Sequence, residues 1–112
     1  MVDQVDMRVE QLKRRLRTYS VDDILYNEPH VTMRLIERSG RRDELVNNLL
    51  NPDNLVFYRT DVGIYGDTVH TFYFRIAEKE TLLMPVIFDR GGKKCLYILT
   101  YIMRLRSWHT MI

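Results

Sequence analysis

The sequence predicts an α+β fold in which a helical N-terminal part is followed by an antiparallel sheet that begins near Leu55. Before that point, apolar residues recur at three- and four-residue intervals, which is the spacing of an amphipathic helix. After it, aromatic and β-branched residues dominate, and glycine-containing turns separate short runs of them, which is typical of strands. This single change of character predicts helices first and sheet second.

The first helix is predicted over residues 3–18. Val5, Val9, Leu12 and Leu16 follow one another at intervals of 4, 3 and 4, which places them on one stripe of a helix. Acidic residues come early in this segment and basic residues late, as the helix dipole favours. Because the stripe is narrow, the helix is expected to pack either on its own domain or on the same helix of a second subunit, and the sequence leaves both open.

Start and stop signals divide the rest of the helical half. Ser20 precedes Asp22 and Asp23, and a serine followed closely by acidic residues is typical of a helix start. Pro29 suits the first position of a helix, and Gly40 is the residue expected to cap the C-terminus of that helix. The predicted elements are a short helix or turn over residues 21–26, a helix over 29–39 and a leucine-rich helix over 42–50.

The sheet half is punctuated by turn signals. Gly91 and Gly92 predict a hairpin turn. Pro85 lacks a backbone N–H, so its strand is expected to lie at an edge, to contain a bulge or to begin late. The last strand is the most apolar and is expected to be central. The predicted strands span residues 55–60, 69–77, 82–88 and 95–103, with a glycine-containing loop over 61–67.

The composition fits one globular domain over residues 1–112. Hydrophobic residues make up 46% and charged residues 29% of the chain, so a core is expected rather than disorder. The single cysteine, Cys95, lies in an apolar run and is expected in the core, where it can form neither an intramolecular disulfide nor a cysteine-rich metal site. The three histidines lack metal-ligand spacing, and no glycine-rich phosphate loop is present. No metal or cofactor is therefore expected.

Location and the remaining histidines follow from local context. No apolar run approaches the ~20 residues that a membrane helix requires, and the N-terminal segment is acidic and amphipathic, unlike a signal peptide. A cytoplasmic protein without membrane contact is expected. His70, alone in a strand, is expected to be structural or exposed. The tail over residues 107–112, which contains His109, is expected to be frayed or packed on a partner.

Basic residues are clustered although the net charge of the chain is only +2. Local clusters on a near-neutral chain favour a local anionic partner. The alternative interpretation is a set of solvated surface faces. Two of these clusters supply the predicted RNA-binding residues, which are Arg41, Arg42, Lys93 and Lys94.

His30, Arg34 and Arg38 follow one another at four-residue intervals and are therefore expected on one helix face. Cleavage of RNA without a metal needs an acid or base that titrates near neutrality, and cations for the charge that builds on the phosphate. Histidine supplies the first and arginine the second. The alternative interpretation is a histidine that caps or packs near the helix N-terminus, beside a basic solvated stripe.

Three short segments resemble uncharacterised families related to the RelE and BrnT toxins: HVTMRLIER, LVNNLLNPD and LYILTYI. In those families a His-x-x-x-Arg-x-x-x-Arg helix precedes a short helix that ends near Asn-Pro, and the final strand ends in a Thr-Tyr or Thr-x-Tyr pair. The resemblance spans about residues 29–104. It implies helices packed on one face of a curved antiparallel sheet of about four strands, with a RelE-like core over residues 29–106 and an N-terminal helical extension over residues 1–28.

The resemblance also implies an activity. Members of the wider group act as endoribonucleases that are commonly paired with an antitoxin protein, so RNA and an antitoxin are the implied partners. In RelE-like toxins arginine, lysine and tyrosine residues on the sheet face often carry out the catalysis. The resemblance therefore adds the end of the last strand to the expected site. The expected catalytic residues are then His30, Arg34, Arg38, Tyr101 and Arg104.

Two other interpretations stay open. The same fold can serve as a non-catalytic domain that binds RNA or another protein. Alternatively, the chain is a structural homodimer held by the first helix and a sheet edge. Convergence of the five expected side chains in one cleft would favour the ribonuclease, whereas basic surface without a convergent histidine would favour binding alone.

Overall fold

Helices and strands occur in the predicted order, with one strand placed earlier than expected. The computed structural model describes residues 4–111, and for residues 4–7 the backbone alone. In that part of the chain the helices are α1 (Gln4–Leu16), α2 (His30–Glu37) and α3 (Arg42–Leu50). The strands are β1 (Ile24–Tyr26), β2 (Leu55–Val62), β3 (Thr68–Ala77), β4 (Glu80–Phe88), β5 (Leu96–Ile98) and β6 (Ile102–Arg104).

The strands form one mixed sheet in the order β1-β5-β4-β3-β2, with β6 paired to β4 beside β5. Strands β2 to β6 pair in antiparallel fashion, and β1 runs parallel to β5. The expectation of about four antiparallel strands is therefore wrong in number and in part in direction. The additional strand β1 follows a 3-10 turn (Val21–Asp23) in the stretch predicted as a short helix or turn. A strand of three residues has too little periodicity to be recognised locally, and its pairing with β5 is long-range.

The last predicted strand is divided by a β-bulge. Residues 99–101, called the bulge from here on, separate β5 from β6 and stand opposite only two residues of β4, Met84 and Pro85. The amide of Leu99 donates to the carbonyl of Pro85 over 3.0 Å. In an antiparallel strand the N–H and C=O positions of a residue point to the same neighbour. The missing N–H of Pro85 therefore faces the bulge, which explains how a proline is tolerated in the centre of this sheet.

The two faces of the sheet are different. The face that carries the helices, called the helical face, holds the core, and none of its seven central residues is more than 1% exposed: Phe72, Phe74, Leu82, Met84, Val86, Leu96 and Ile98. Strand alternation places the neighbouring residues on the other side, called the open face. The open face includes Phe57, Arg59, Val69, Thr71, Tyr73, Pro85, Ile87 and Tyr97.

The C-terminal tail covers one end of the open face. A 3-10 turn (Trp108–Met111) places the indole of Trp108 parallel to the ring of Phe57, with 6.0 Å between ring centroids. The guanidinium of Arg59 donates to the carbonyl of Met111 over 3.2 Å. The tail, as far as residue 111, therefore contacts its own chain, whereas a tail that is frayed or packed on a partner was expected.

Helix α1 packs on its own sheet. Val9 and Leu16 are 5% and 0% exposed and belong to the core, and Leu12 packs against that core. This resolves the alternative that the sequence left open, because the apolar stripe is used within the chain. The predicted start at Asp3 and the side chain of Val5 lie outside the described residues. Within the described chain, no helix is both long enough and apolar enough to cross a membrane.

Helix α2 ends two residues earlier than predicted, and its cap differs. Pro29 precedes the helix as its N-cap, and the helix proper stops at Glu37. The residue in the left-handed region is Ser39, with φ of 52°, and the amide of Gly40 donates to the carbonyl of Leu35 over 2.8 Å. Gly40 is needed for another reason. A Cβ atom there would lie 2.5 Å from the hydroxyl oxygen of Tyr101, so glycine allows this close approach.

Candidate functional site

The segment that contains α2 is attached to the bulge by hydrogen bonds. The backbone amide of Asn27 donates to the carbonyl of Ile98 over 2.9 Å, and its side-chain amide donates to the carbonyl of Leu99 over 3.2 Å. A bulge leaves backbone groups without strand partners, and unpaired buried groups are costly. The side chain of Asn27 satisfies one of these groups, the carbonyl of Leu99, and its backbone amide continues the pairing of β1 with β5. Both contacts position the start of α2 over the bulge.

His30 and Thr100 form the first contact between the helix and the bulge that involves two side chains. The Nε2 atom of His30 lies 2.9 Å from the Oγ1 atom of Thr100, and the histidine is exposed. Either partner can be the donor, because that depends on which imidazole nitrogen carries the proton. The ring is thus held at the surface with a hydroxyl beside one nitrogen.

Arg38 and Tyr101 form the second contact, and both use their polar groups to attach the helix. The guanidinium of Arg38 donates to the carbonyl of Tyr101 over 3.1 Å. The hydroxyl of Tyr101 donates to the carbonyl of Arg34 over 3.2 Å, and the tyrosine is only 4% exposed. Burial, partly offset by the charge of Arg38, raises the pKa of the Tyr101 phenol above its usual value. The neutral phenol therefore fastens α2 to the bulge through its hydrogen bond to the helix carbonyl.

Arg34 lies between these contacts, one helical turn after His30. Its side chain is half-buried, and its guanidinium makes no hydrogen bond or ion pair with any residue that the structure describes. Four of the five expected catalytic residues thus meet at the interface of α2 and the bulge. Of these four, His30 and Arg34 keep polar groups that are available to a ligand.

Arg104 lies apart from this cluster. Met103, its neighbour in β6, packs against the core on the helical face. Alternation along a strand therefore places Arg104 on the open face, opposite Thr81 of β4. The structure does not bring Arg104 together with His30 and the other three.

The four expected RNA-binding residues differ in how far their charged groups are already bonded to other residues. Arg41 is exposed and 3.6 Å from the carboxylate of Asp43, a contact that solvent weakens. Lys94 donates to the carbonyl of Thr18 over 2.8 Å at the end of α1. Lys93 is exposed and makes no hydrogen bond or ion pair within the described chain. None of these three cations contacts His30, Arg34, Arg38 or Tyr101 through a hydrogen bond or an ion pair among the described residues.

Arg42 is engaged by a network of its own. Its guanidinium donates to the Glu28 carboxylate over 2.7 Å and lies 4.3 Å from the ring centroid of Tyr26. Glu28 also accepts from the hydroxyl and the backbone amide of Thr32. These hydrogen bonds, that of the Thr32 hydroxyl first, lower the pKa of Glu28 to about 2. The network ties the turn before α2 to the start of α3 and leaves little of Arg42 for a ligand.

The chemistry available at the site follows from these contacts. It offers one imidazole, one hydroxyl and one guanidinium, which are groups that bind a phosphate oxygen or move a proton. Among residues 4–111, no group of three His, Cys, Asp or Glu side chains is placed to hold a metal ion. A second acid or base, as RNA cleavage requires, is not among the available groups, because the Tyr101 phenol is buried and bonded.

Asn27 and Thr100 belong to the site but were not among the expected site residues. Asn27 directly follows the predicted short helix or turn over residues 21–26 and stands two residues before Pro29. An asparagine just before a helix has an amide that can bond to loop carbonyls, so this signal was present. Thr100 was visible as part of the Thr-Tyr pair, yet its proximity to His30 depends on the bulge.

Comparison of the chain with protein-family models, with curated proteins and with solved structures found no match. The resemblance to the RelE-related families therefore rests on the three quoted segments alone and stays a prediction.

Proposed function

We propose that this chain binds RNA at the surface formed by α2 and the bulge. The observation that supports the proposal best is the placement of His30 beside Thr100 with the unengaged guanidinium of Arg34 one turn away. A phosphate diester presents oxygen acceptors, and an arginine fork with a neighbouring imidazole and hydroxyl donates to them. The relation to RelE-like domains, and an antitoxin as protein partner, belong to the same proposal.

RNA cleavage is the second candidate function, and the His30–Thr100 contact favours it. An exposed imidazole next to a guanidinium can take the proton of a 2′-hydroxyl while the cation stabilises the phosphate. The leaving oxygen would need a separate acid, and the buried phenol of Tyr101 is poorly placed to supply one. Binding is therefore the stronger proposal and cleavage the narrower one.

Binding is tested by fluorescence anisotropy with a labelled single-stranded RNA at two salt concentrations. We expect Arg34→Met to weaken binding about tenfold, as loss of one charged hydrogen bond does. The salt dependence should become shallower at the same time, because one phosphate contact is lost. The matched control is Arg14→Met, which removes an exposed arginine of α1 outside the site. Equal affinities of the wild type, Arg34→Met and Arg14→Met would contradict the proposal.

Cleavage is tested in the same solutions by gel electrophoresis of the RNA. If His30 acts as a base, wild-type protein cuts the RNA, His30→Ala does not, and a strand with 2′-deoxy sugars stays intact. Intact RNA with bound wild-type protein would reject cleavage and leave the binding proposal standing. Cutting by His30→Ala at the wild-type rate would show that another residue is responsible.

A further inference from the structure

A concave feature lies on the open face, next to the bulge. It is a cleft of about 290 Å³ between the end of β5 and the β2–β3 hairpin. That volume is at the small end of the range for ligand sites and suits a single ring system and its substituents. Its lining includes Asn27, Asp67, Val69, Ile87, Arg90, Tyr97 and Leu99.

One wall of the cleft is a stack of a guanidinium on an aromatic ring. The Arg90 guanidinium carbon lies 4.3 Å from the ring centroid of Tyr97. The Tyr97 hydroxyl lies 3.2 Å from the amide oxygen of Asn27, which fixes the ring in place. A guanidinium beside a ring at the edge of a cleft can be contacted by a further planar group, and RNA bases stack on arginine planes.

The other walls supply apolar contact and one acceptor. Val69, Ile87 and Leu99 give an apolar floor, and Asp67 adds a carboxylate at the hairpin. The side chain of Tyr65 is 85% exposed at the same hairpin and presents a second aromatic ring. A carboxylate accepts hydrogen bonds from the exocyclic amino group of a base, as from the N4 amino group of cytosine.

The cleft and the proposed RNA site both adjoin the bulge, the cleft on the open face and α2 on the helical face. Leu99 lines the cleft, and the next residue, Thr100, contacts His30. Asn27 lines the cleft as well and begins the turn that leads into α2. The subsite therefore requires that an RNA strand with a phosphate at His30 and Arg34 passes around the bulge to the open face.

We infer that the cleft is a base-binding subsite, in which one base of a single-stranded RNA stacks on Arg90 and donates to Asp67. The inference rests on the proposed RNA binding at α2 and the bulge. An apolar peptide is the competing occupant, and it fits less well because it would cover the charges of Arg90 and Asp67 without pairing them. An amino-bearing base pairs the carboxylate and stacks on the cation.

The first experiment uses short RNA and a matched set of variants. Anisotropy of labelled tetraribonucleotides is measured for the wild type, Arg90→Met and Arg75→Met, the last being an exposed arginine of β3 outside the cleft. We expect Arg90→Met to weaken binding of oligocytidylate about tenfold and Arg75→Met to change it less than twofold. Asp67→Asn should reduce the preference for oligocytidylate over oligouridylate, because uracil lacks the amino group.

The second experiment uses the wild-type chain, so its result does not depend on whether a variant folds correctly. Cytidine monophosphate is titrated into the ¹⁵N-labelled wild-type chain, and shifts of the amides of Gly63, Val69 and Ile87 are followed by NMR. Shifts at these amides support the subsite. Their absence, together with unchanged oligonucleotide binding in Arg90→Met, overturns it. Shifts caused only by an apolar tetrapeptide would likewise overturn it in favour of a peptide site.

The two proposals fail in different ways. If Arg34→Met weakens RNA binding and Arg90→Met does not, the subsite is rejected and the proposed function survives. If cytidine monophosphate shifts the cleft amides while Arg34→Met and His30→Ala bind the oligonucleotide normally, the proposed RNA site is rejected and the cleft keeps its base specificity.

Discussion

At the scale of single residues, the most informative group is His70, because its polarity is at odds with its surroundings. Its ring lies among those of Tyr58, Phe72 and Phe88, with 4.9 Å to the centroid of Phe88. Its Nδ1 atom is buried and has no hydrogen-bond partner among the described residues. The expectation that this histidine is structural agrees with that position.

The pKa of His70 gives a prediction for stability against pH. Burial first, and the charge of Arg15 second, lower the pKa of the imidazole below its usual value. The unfolded chain therefore takes up the proton at higher pH than the folded chain does. The contribution of His70 is complete above about pH 6.5 and is lost as pH falls through the lowered folded-state pKa. We expect the free energy of unfolding, measured by urea denaturation, to fall from pH 8 to pH 5.

The variant His70→Phe provides the comparison for that experiment. It keeps a ring of similar shape and removes the unpaired nitrogen, so it should be more stable than the wild type by about 1 kcal/mol at pH 8. Between pH 8 and pH 5 it should lose less stability than the wild type. The neighbouring ionisable groups Arg15, Asp89 and Tyr58 are the same in both proteins, so their contributions cancel. Parallel decreases in the two proteins would show that His70 is not the source.

At the scale of elements, the end of α2 shows how the helix and the bulge depend on each other. The hydroxyl of Tyr101 donates to the helix carbonyl of Arg34, and the backbone of Gly40 passes directly over that hydroxyl. The cap, the tyrosine and the bulge therefore form one packing unit, and it is this unit that carries His30 and Arg34. The site geometry should be sensitive to substitutions that never touch a ligand.

Substitutions at the cap test this dependence. Gly40→Ala forces a Cβ atom against the Tyr101 hydroxyl, and overpacking of this kind should destabilise the protein by about 1–3 kcal/mol. Ser39→Gly relieves the left-handed backbone at Ser39 and should stabilise it by about 0.5–1 kcal/mol. Urea denaturation measures both changes, and their opposite signs are the check on the cap geometry.

A double-mutant cycle then identifies the clashing atom. In the Tyr101→Phe background, where the hydroxyl is absent, Gly40→Ala should cost at least 0.5–1 kcal/mol less than in the wild type, a coupling of roughly the size found between contacting residues. Equal costs in the two backgrounds would mean that Tyr101 does not contact position 40.

At the scale of the whole molecule, α1 closes the core from one side of the sheet. Leu16 is fully buried with residues from β3, β4 and β5, and Arg15 pairs with Asp89 at the far end of β4. Tyr19, just beyond the helix, donates to the same aspartate over 2.7 Å. Residues 8–28 thus share one core with the rest of the described chain.

Because the apolar stripe of α1 packs on its own chain, we predict that this stripe does not form a dimer interface. Leu16→Ala should cost about 2–5 kcal/mol, because it leaves a cavity in a fully buried place. Thermal unfolding should show the same loss at 5 µM and 100 µM protein, since packing within one chain does not depend on concentration. A wild-type unfolding temperature that falls on dilution, with no such fall in Leu16→Ala, would indicate that the stripe packs on a second subunit instead.

The sequence alone determined the features that local periodicity encodes. The stripe of α1, the helices α2 and α3, the long strands β2 to β4 and the core position of Cys95 all follow from spacing and residue type over short stretches. The shared face of His30 and Arg34 belongs here too, because one helix suffices to align them, whereas Arg38 follows the helix as its C-cap.

Tertiary structure decided which of these residues have a free polar group. The strand β1, the bulge opposite Pro85 and the separation of Arg104 from His30 depend on pairing between segments that are far apart in sequence. Whether Arg38 or Arg42 can reach a ligand depends on carbonyls and carboxylates that the fold brings to them. Local sequence patterns do not predict such contacts, because strand register and packing, rather than neighbouring residues, determine the hydrogen-bond partners.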